Sequence, residues 1–216
     1  MVGGCVLDAL IADPAFDRVV ALVRRPMERK AAKLLQVVVD FDSLEESGAW
    51  GEVGPVDTLF CSLGSTIKAA GSRAVFRNVD YVYPIRFAEA GRHVGARQFL
   101  VISSVGAAPK SSSFYLRIKG EMERDLAGIG FASLSIFRPS LLLGNRHETR
   151  TGERLAQIVY PLLDPLLMGG FRRFRAIEAK TVGRAMAARA LISEPATRVL
   201  HYDEIQALAA ESRIPG

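Results

Sequence analysis

The chain has 216 residues, 49% of them hydrophobic, and a formal charge of +5. That is enough apolar material for one well-buried domain, and too short a chain for two of ordinary size, so a single domain over 1–216 is expected. The positive charge is scattered, reaching only pairs such as Arg24-Arg25 and Arg172-Arg173, which points to a small anionic ligand and away from nucleic acid.

The chain opens as MVGGCVLDALIADP, a helix over 3–12 that runs into an apolar strand over 18–23. Further strands are predicted over 35–41, 56–63, 97–103 and 131–137, with a weaker one over 197–202. Helices are predicted over 73–94, 115–128, 153–168 and 181–193. The strands are continuous apolar runs without polar alternation, as strands covered on both faces require. Strand and helix in alternation give an α/β fold with a doubly wound parallel sheet and right-handed crossovers.

Cys5 and Cys61 form neither a metal spacing nor a disulfide framework and fit buried thiols in a reducing compartment. His93, His147 and His201 lie far apart, so no metal site is expected. Ile158 to Met168 is apolar, but Pro161, Pro165 and Asp164 break it, so it fits a pocket wall or a subunit contact and no stable membrane insertion. With no signal-peptide pattern at the start, the chain is expected in the cytoplasm.

The ends of the predicted strands carry the chemistry. Met1-Val2-Gly3 matches the tail of a G-x-x-G-x-x-G turn, with Gly3 as the last glycine, where close packing of helix on strand excludes a side chain. The next strand ends in Arg24-Arg25, where arginine favours the 2′-phosphate of NADP and an acidic residue would favour NAD. Asp40 and Phe41, closing the following strand, are placed to flank an adenine, and Leu63-Gly64 opens a small-residue turn that lets backbone approach a cofactor. The strand over 97–103 ends in Ser103-Ser104, and Tyr115-x-x-x-Lys119 follows eleven residues after Ser104. Residues four apart on a helix share a face, so phenol and ammonium reach one site, and the cation favours the phenolate.

In this order FCSLGSTIKAAGS, FLVISSVGA, SSSFYLRIKGEME and FRPSLLLGNRHETR resemble the atypical short-chain dehydrogenase/reductases of the Tat-interacting-protein oxidoreductase group, which are NAD(P)-binding Rossmann proteins. The resemblance spans roughly residues 1–205. It implies that Ser104 hydrogen-bonds a substrate carbonyl, with Ser103 as runner-up, that Tyr115 protonates it, and that Lys119 binds the nicotinamide ribose and assists the tyrosine. Pro139, in Arg138-Pro139-Ser140, matches the turn beside the nicotinamide, and 140–180 a small substrate-side region. The implied function is an NAD(P)H-dependent oxidoreductase acting on an unknown small carbonyl or alcohol. The alternative is a catalytically silent NADPH-binding regulator or scaffold, since fold does not fix function. Helices 73–94 and 115–128 offer the surface for a homodimer.

The family has a strand and a glycine turn before its first helix, and both are missing here. That strand is central in the sheet, so its absence leaves a gap between the family's second and fourth strands, with unpaired backbone groups. About a dozen residues upstream of Met1 would supply it, and they are expected in the natural protein.

Overall fold

The structure is a computed structural model describing residues 1–44, 49–144, 168–192 and 194–212. In chain order its first part runs α1 (Val2–Ala12), β1 (Val19–Val23), β2 (Leu34–Val38), α2 (Ala49–Val53) and β3 (Thr58–Cys61). The middle contains α3 (Ile67–Ala70), α4 (Arg73–Arg77), a π turn over Asn78–Val82, α5 (Tyr83–His93), β4 (Gln98–Ile102), α6 (Phe114–Gly128) and β5 (Ser133–Phe137). The last part adds short strands β6 (Leu142–Leu143) and β7 (Ile177–Glu178), then α7 (Ala179–Ala190), β8 (Thr197–Leu200) and α8 (Tyr202–Glu211).

Among the described residues all strand pairings are parallel, in the orders β1-β2, β3-β4-β5-β8 and β6-β7. Every residue of β4 and β5 is buried, which is why their sequences carry no charge and are mostly apolar, with Gln98, Ser133 and Ser135 as the buried polar exceptions. The α/β class and the parallel sheet expected from the sequence are the observed ones.

Some elements differ from expectation. The strand expected over 35–41 stops at Val38, and Phe41 starts a 3-10 turn whose N-cap, Asp40, accepts from the Asp42 N–H at 3.0 Å. The helix expected over 73–94 is interrupted by the π turn. Pro84 has no N–H for the Asp80 carbonyl and its ring crowds that oxygen, so the helix widens and Tyr83 N–H bonds to the carbonyl of Asn78, five residues back. Helix α8 was not expected, although Glu204 reaches back to the His201 N–H at 3.1 Å to cap it. The helix expected over 153–168 and the apolar stretch from Ile158 fall almost wholly outside the described residues.

The gap expected in the sheet is present. No backbone pairing joins β1 to β3. Their starts share one end of the molecule, because Arg18 before β1 donates to the carbonyls of Val53 (2.7 Å) and Pro55 (2.6 Å) before β3. Between the two open edges lies a cavity of about 590 Å³, lined by Leu10, Val20, Leu22, Leu59, Phe60 and Trp50 among others. Side chains hold the halves together: Phe16 packs edge-on to Phe60, centroids 6.3 Å apart, and Val19 shares a core with Leu100 and Ile102.

This arrangement fixes a hydrogen-exchange pattern. Amides of β4 and β5, paired on both sides, will exchange only on global unfolding, while the amides of β1 and β3 that face the cavity will exchange much faster. Equal protection in all four strands, measured residue by residue, would contradict an open slot.

Candidate active site

Helix α6 carries Tyr115, Lys119 and Glu123 at intervals of four, so all three lie along one face. Lys119 and Glu123 are buried and Tyr115 is half-buried, its ring beside Phe76 at 5.7 Å between centroids. Gly120 sets how closely this helix meets the loop after β4. A Cβ there would lie 2.2 Å from the carbonyl carbon of Ala108, so only glycine lets the loop lie on α6. That loop is also stitched to the end of β5, through Ser103 N–H to the Phe137 carbonyl (2.7 Å) and Val105 N–H to the Pro139 carbonyl (3.0 Å). Ser103, Ser104, buried Pro139 and Lys119 therefore meet at the C-terminal ends of β4 and β5.

The two serines differ. Ser103 is buried and its Oγ has no hydrogen-bond partner among the described residues, whereas half-buried Ser104 bonds weakly to the Val105 carbonyl at 3.4 Å. Lys119 Nζ lies 3.5 Å from the Ile102 carbonyl and 2.8 Å from Asp80 Oδ1. The side chains of this ion pair are 4% and 0% exposed. The other Asp80 oxygen accepts the Ser65 N–H at 2.8 Å. Gly64 covers the pair: a Cβ there would come within 3.4 Å of Asp80 Oδ1 and 3.7 Å of Lys119 Nζ. One turn further along α6, Glu123 takes the Arg138 guanidinium in a two-pronged pair, Nε to Oε1 at 2.9 Å and Nη2 to Oε2.

The residues expected at the adenosine end lie on the β1–β2 half. Arg24 and Arg25 follow β1 and are exposed. Phe41 is buried in a small core with Val37, Val39, Leu44 and Val53, packs on Tyr83 and lines the cavity wall. Its ring is spent on packing, not presented as a free face. Tyr83 donates to Asp42 at 2.6 Å, and that bond, with burial, pushes its phenol up to about 12. Gly3, in the first turn of α1, faces Ser62 so closely that a Cβ would come 2.7 Å from its Oγ. Leu63 is half-buried at the cavity edge. Cys61 is buried, and burial pushes its thiol up to about 11, while Cys5 is only half-buried and corrects the expectation of two buried thiols.

Asp80 was absent from the sequence-based candidates. Its signal is spacing: Phe76, Asp80, Pro84 and Ala88, four apart, are all buried, so a carboxylate sits on an apolar stripe.

Residues 30–163 match the family model HIM1. The chain belongs to the HIM1 family. Among the relatives of this HIM1 member, protein fmp52, mitochondrial, from Emericella nidulans is 35% identical over 73% of this chain and 69% of its own. Protein HTATIP2 from Rattus norvegicus is 35% identical over 85% of this chain and 74% of its own. A UDP-glucose 4-epimerase from Thermus thermophilus, solved in complex with NAD, superposes with a TM-score of 0.66 at 17% identity, covering 98% of this chain and 79% of its own. The fold is therefore that of an atypical short-chain dehydrogenase/reductase, a Rossmann protein, as the motifs implied. The cytoplasmic expectation is overturned, because relatives from several fungi are named as mitochondrial. No helix among the described residues is long and apolar enough to cross a membrane.

Removing one member of the Asp80–Lys119 pair leaves the other charge buried. Lys119→Met will destabilise the chain by about 3–5 kcal/mol in urea unfolding. The double variant Asp80→Asn/Lys119→Met will recover most of that loss, and a Lys119→Met variant as stable as the parent would contradict the pairing.

Proposed function

We propose that this HIM1-family chain is an NADP(H)-dependent oxidoreductase in which Tyr115 exchanges a proton with the oxygen of a small carbonyl or alcohol substrate. The observation that carries this reading is Lys119, held buried at the end of β4, one helical turn from Tyr115 and near Ser103 and Ser104. When bound, the nicotinamide supplies the hydride that reduces the carbonyl carbon.

The chain's own residues do the rest. Ser104, with Ser103 behind it, donates to the substrate oxygen and fixes its direction. The Tyr115 O–H bond breaks as its proton passes to that oxygen, giving the alcohol, and the phenolate regains a proton from solvent. The Lys119 ammonium offsets the negative charge left on the tyrosine and offers donors to the nicotinamide ribose. At the other end, Arg24 and Arg25 are exposed after β1, and a guanidinium pairs with a 2′-phosphate through parallel charge-assisted bonds. Gly3, which lets α1 close on Ser62, and the Leu63-Gly64 turn beside Lys119 would line the cofactor between these ends, and Pro139 would wall the nicotinamide side.

The test is oxidation of NADPH and NADH against a panel of aldehydes and ketones. Tyr115→Phe is expected to lower kcat/KM by about 10²–10⁴-fold with cofactor affinity retained. Arg24→Glu will weaken NADPH more than NADH. Undiminished activity in Tyr115→Phe would exclude it as proton donor. Tight NADPH binding without turnover of any substrate would favour the regulator instead.

A further inference from the structure

We infer that Asp80 is a positioning residue that sets Lys119 for cofactor binding and ties it to the loop after β3; this rests on the cofactor reading above. Two elements converge on the carboxylate: from the loop after β3, Ser65 N–H fixes one oxygen at 2.8 Å and Gly64 lies over the pair, and from α6 Lys119 Nζ meets the other oxygen at 2.8 Å. A lysine side chain has many rotamers, and here the carboxylate selects among them. The only other partner of the ammonium among the described residues is the Ile102 carbonyl, at a marginal 3.5 Å.

The backbone is shaped to deliver this carboxylate. Asp80 sits in the π turn that Pro84 forces, on the helix stripe that faces the core. Widened turns of this kind interrupt a helix at some cost and recur at functional sites. A purely apolar residue at position 80 would pack on the same stripe without burying a charge, so burial alone gives no reason for an aspartate. Its partners give one. Ser65 belongs to the Leu63-Gly64 turn, so a shift of that turn on cofactor binding is passed through Asp80 to the ammonium.

The experiment is a double-mutant cycle on NADPH affinity, read by nucleotide fluorescence with the full chain, with thermal melting of each variant. Asp80→Asn keeps the shape and the Ser65 hydrogen bond while removing the charge. It is expected to weaken NADPH by about tenfold, the loss of a hydrogen bond to a charged group. In a Lys119→Met background, the same change is expected to have no further effect. Asp80→Glu is expected to restore part of the affinity. Equal loss in both backgrounds, or parental affinity in Asp80→Asn, would overturn the inference. Should Asp80→Asn fail to fold, the comparison of Lys119→Met with the double variant decides, because that pair still isolates any effect of Asp80 that bypasses Lys119. Absence of NADPH binding by the unaltered chain overturns the cofactor reading itself, and this inference with it, and so is told apart from a failure of Asp80 alone.

Discussion

A strand inside a parallel sheet has two rows of backbone groups to satisfy, and among the described residues β1 and β3 each find a strand partner for one row. Contacts other than strand pairing join the two halves. Arg18 ties the start of one half to the other through two carbonyls, and Phe16 reaches across to Phe60. Helix α1 contributes most, packing so tightly on α7 that a Cβ on Gly183 would come 2.7 Å from the Cys5 carbonyl carbon. Cohesion across the slot thus comes from side chains and helix contact, which are less directional than a ladder of hydrogen bonds.

The proposed site is divided along the same line. Tyr115, Lys119, Ser103, Ser104 and Pro139 stand on the four-stranded half, with Asp80 and Gly64 beside them. Arg24, Arg25, Asp40 and Phe41 follow β1 or β2 on the two-stranded half. Within the first group geometry is tightly determined, by the Gly120 contact, the Ser103 and Val105 backbone bonds and the buried ion pair. Within the second, Asp40 is exposed but engaged in a cap, Phe41 is engaged in packing, and Arg24 and Arg25 are exposed.

What could be read in the sequence follows physical rules of different range. The runs at β4 and β5 identify themselves because burial on both faces leaves room for no charged residue and few polar ones, and Tyr115 and Lys119 share a helix face by spacing alone. The end of β2 was overestimated because Val39 and Phe41 are apolar for another reason: they serve a separate small core in which the chain has already turned. The π turn follows from Pro84, inside a helix expected to be continuous over 73–94, and its consequence for Asp80 depends on a partner 39 positions away in sequence, which no local pattern encodes. The pairing of Glu123 with Arg138, fifteen positions apart, is likewise beyond any local pattern.

Cys61 closes β3 at the edge of the cavity with its thiol protonated far above neutrality and 2% of its surface exposed. Only a thiolate attacks an electrophile or a disulfide, so in the closed molecule this sulfur is chemically silent. Reagents reach a sulfur so buried only through local opening of the fold. Its modification rate is then governed by that opening, so the cysteine reports the local stability of this edge of the sheet.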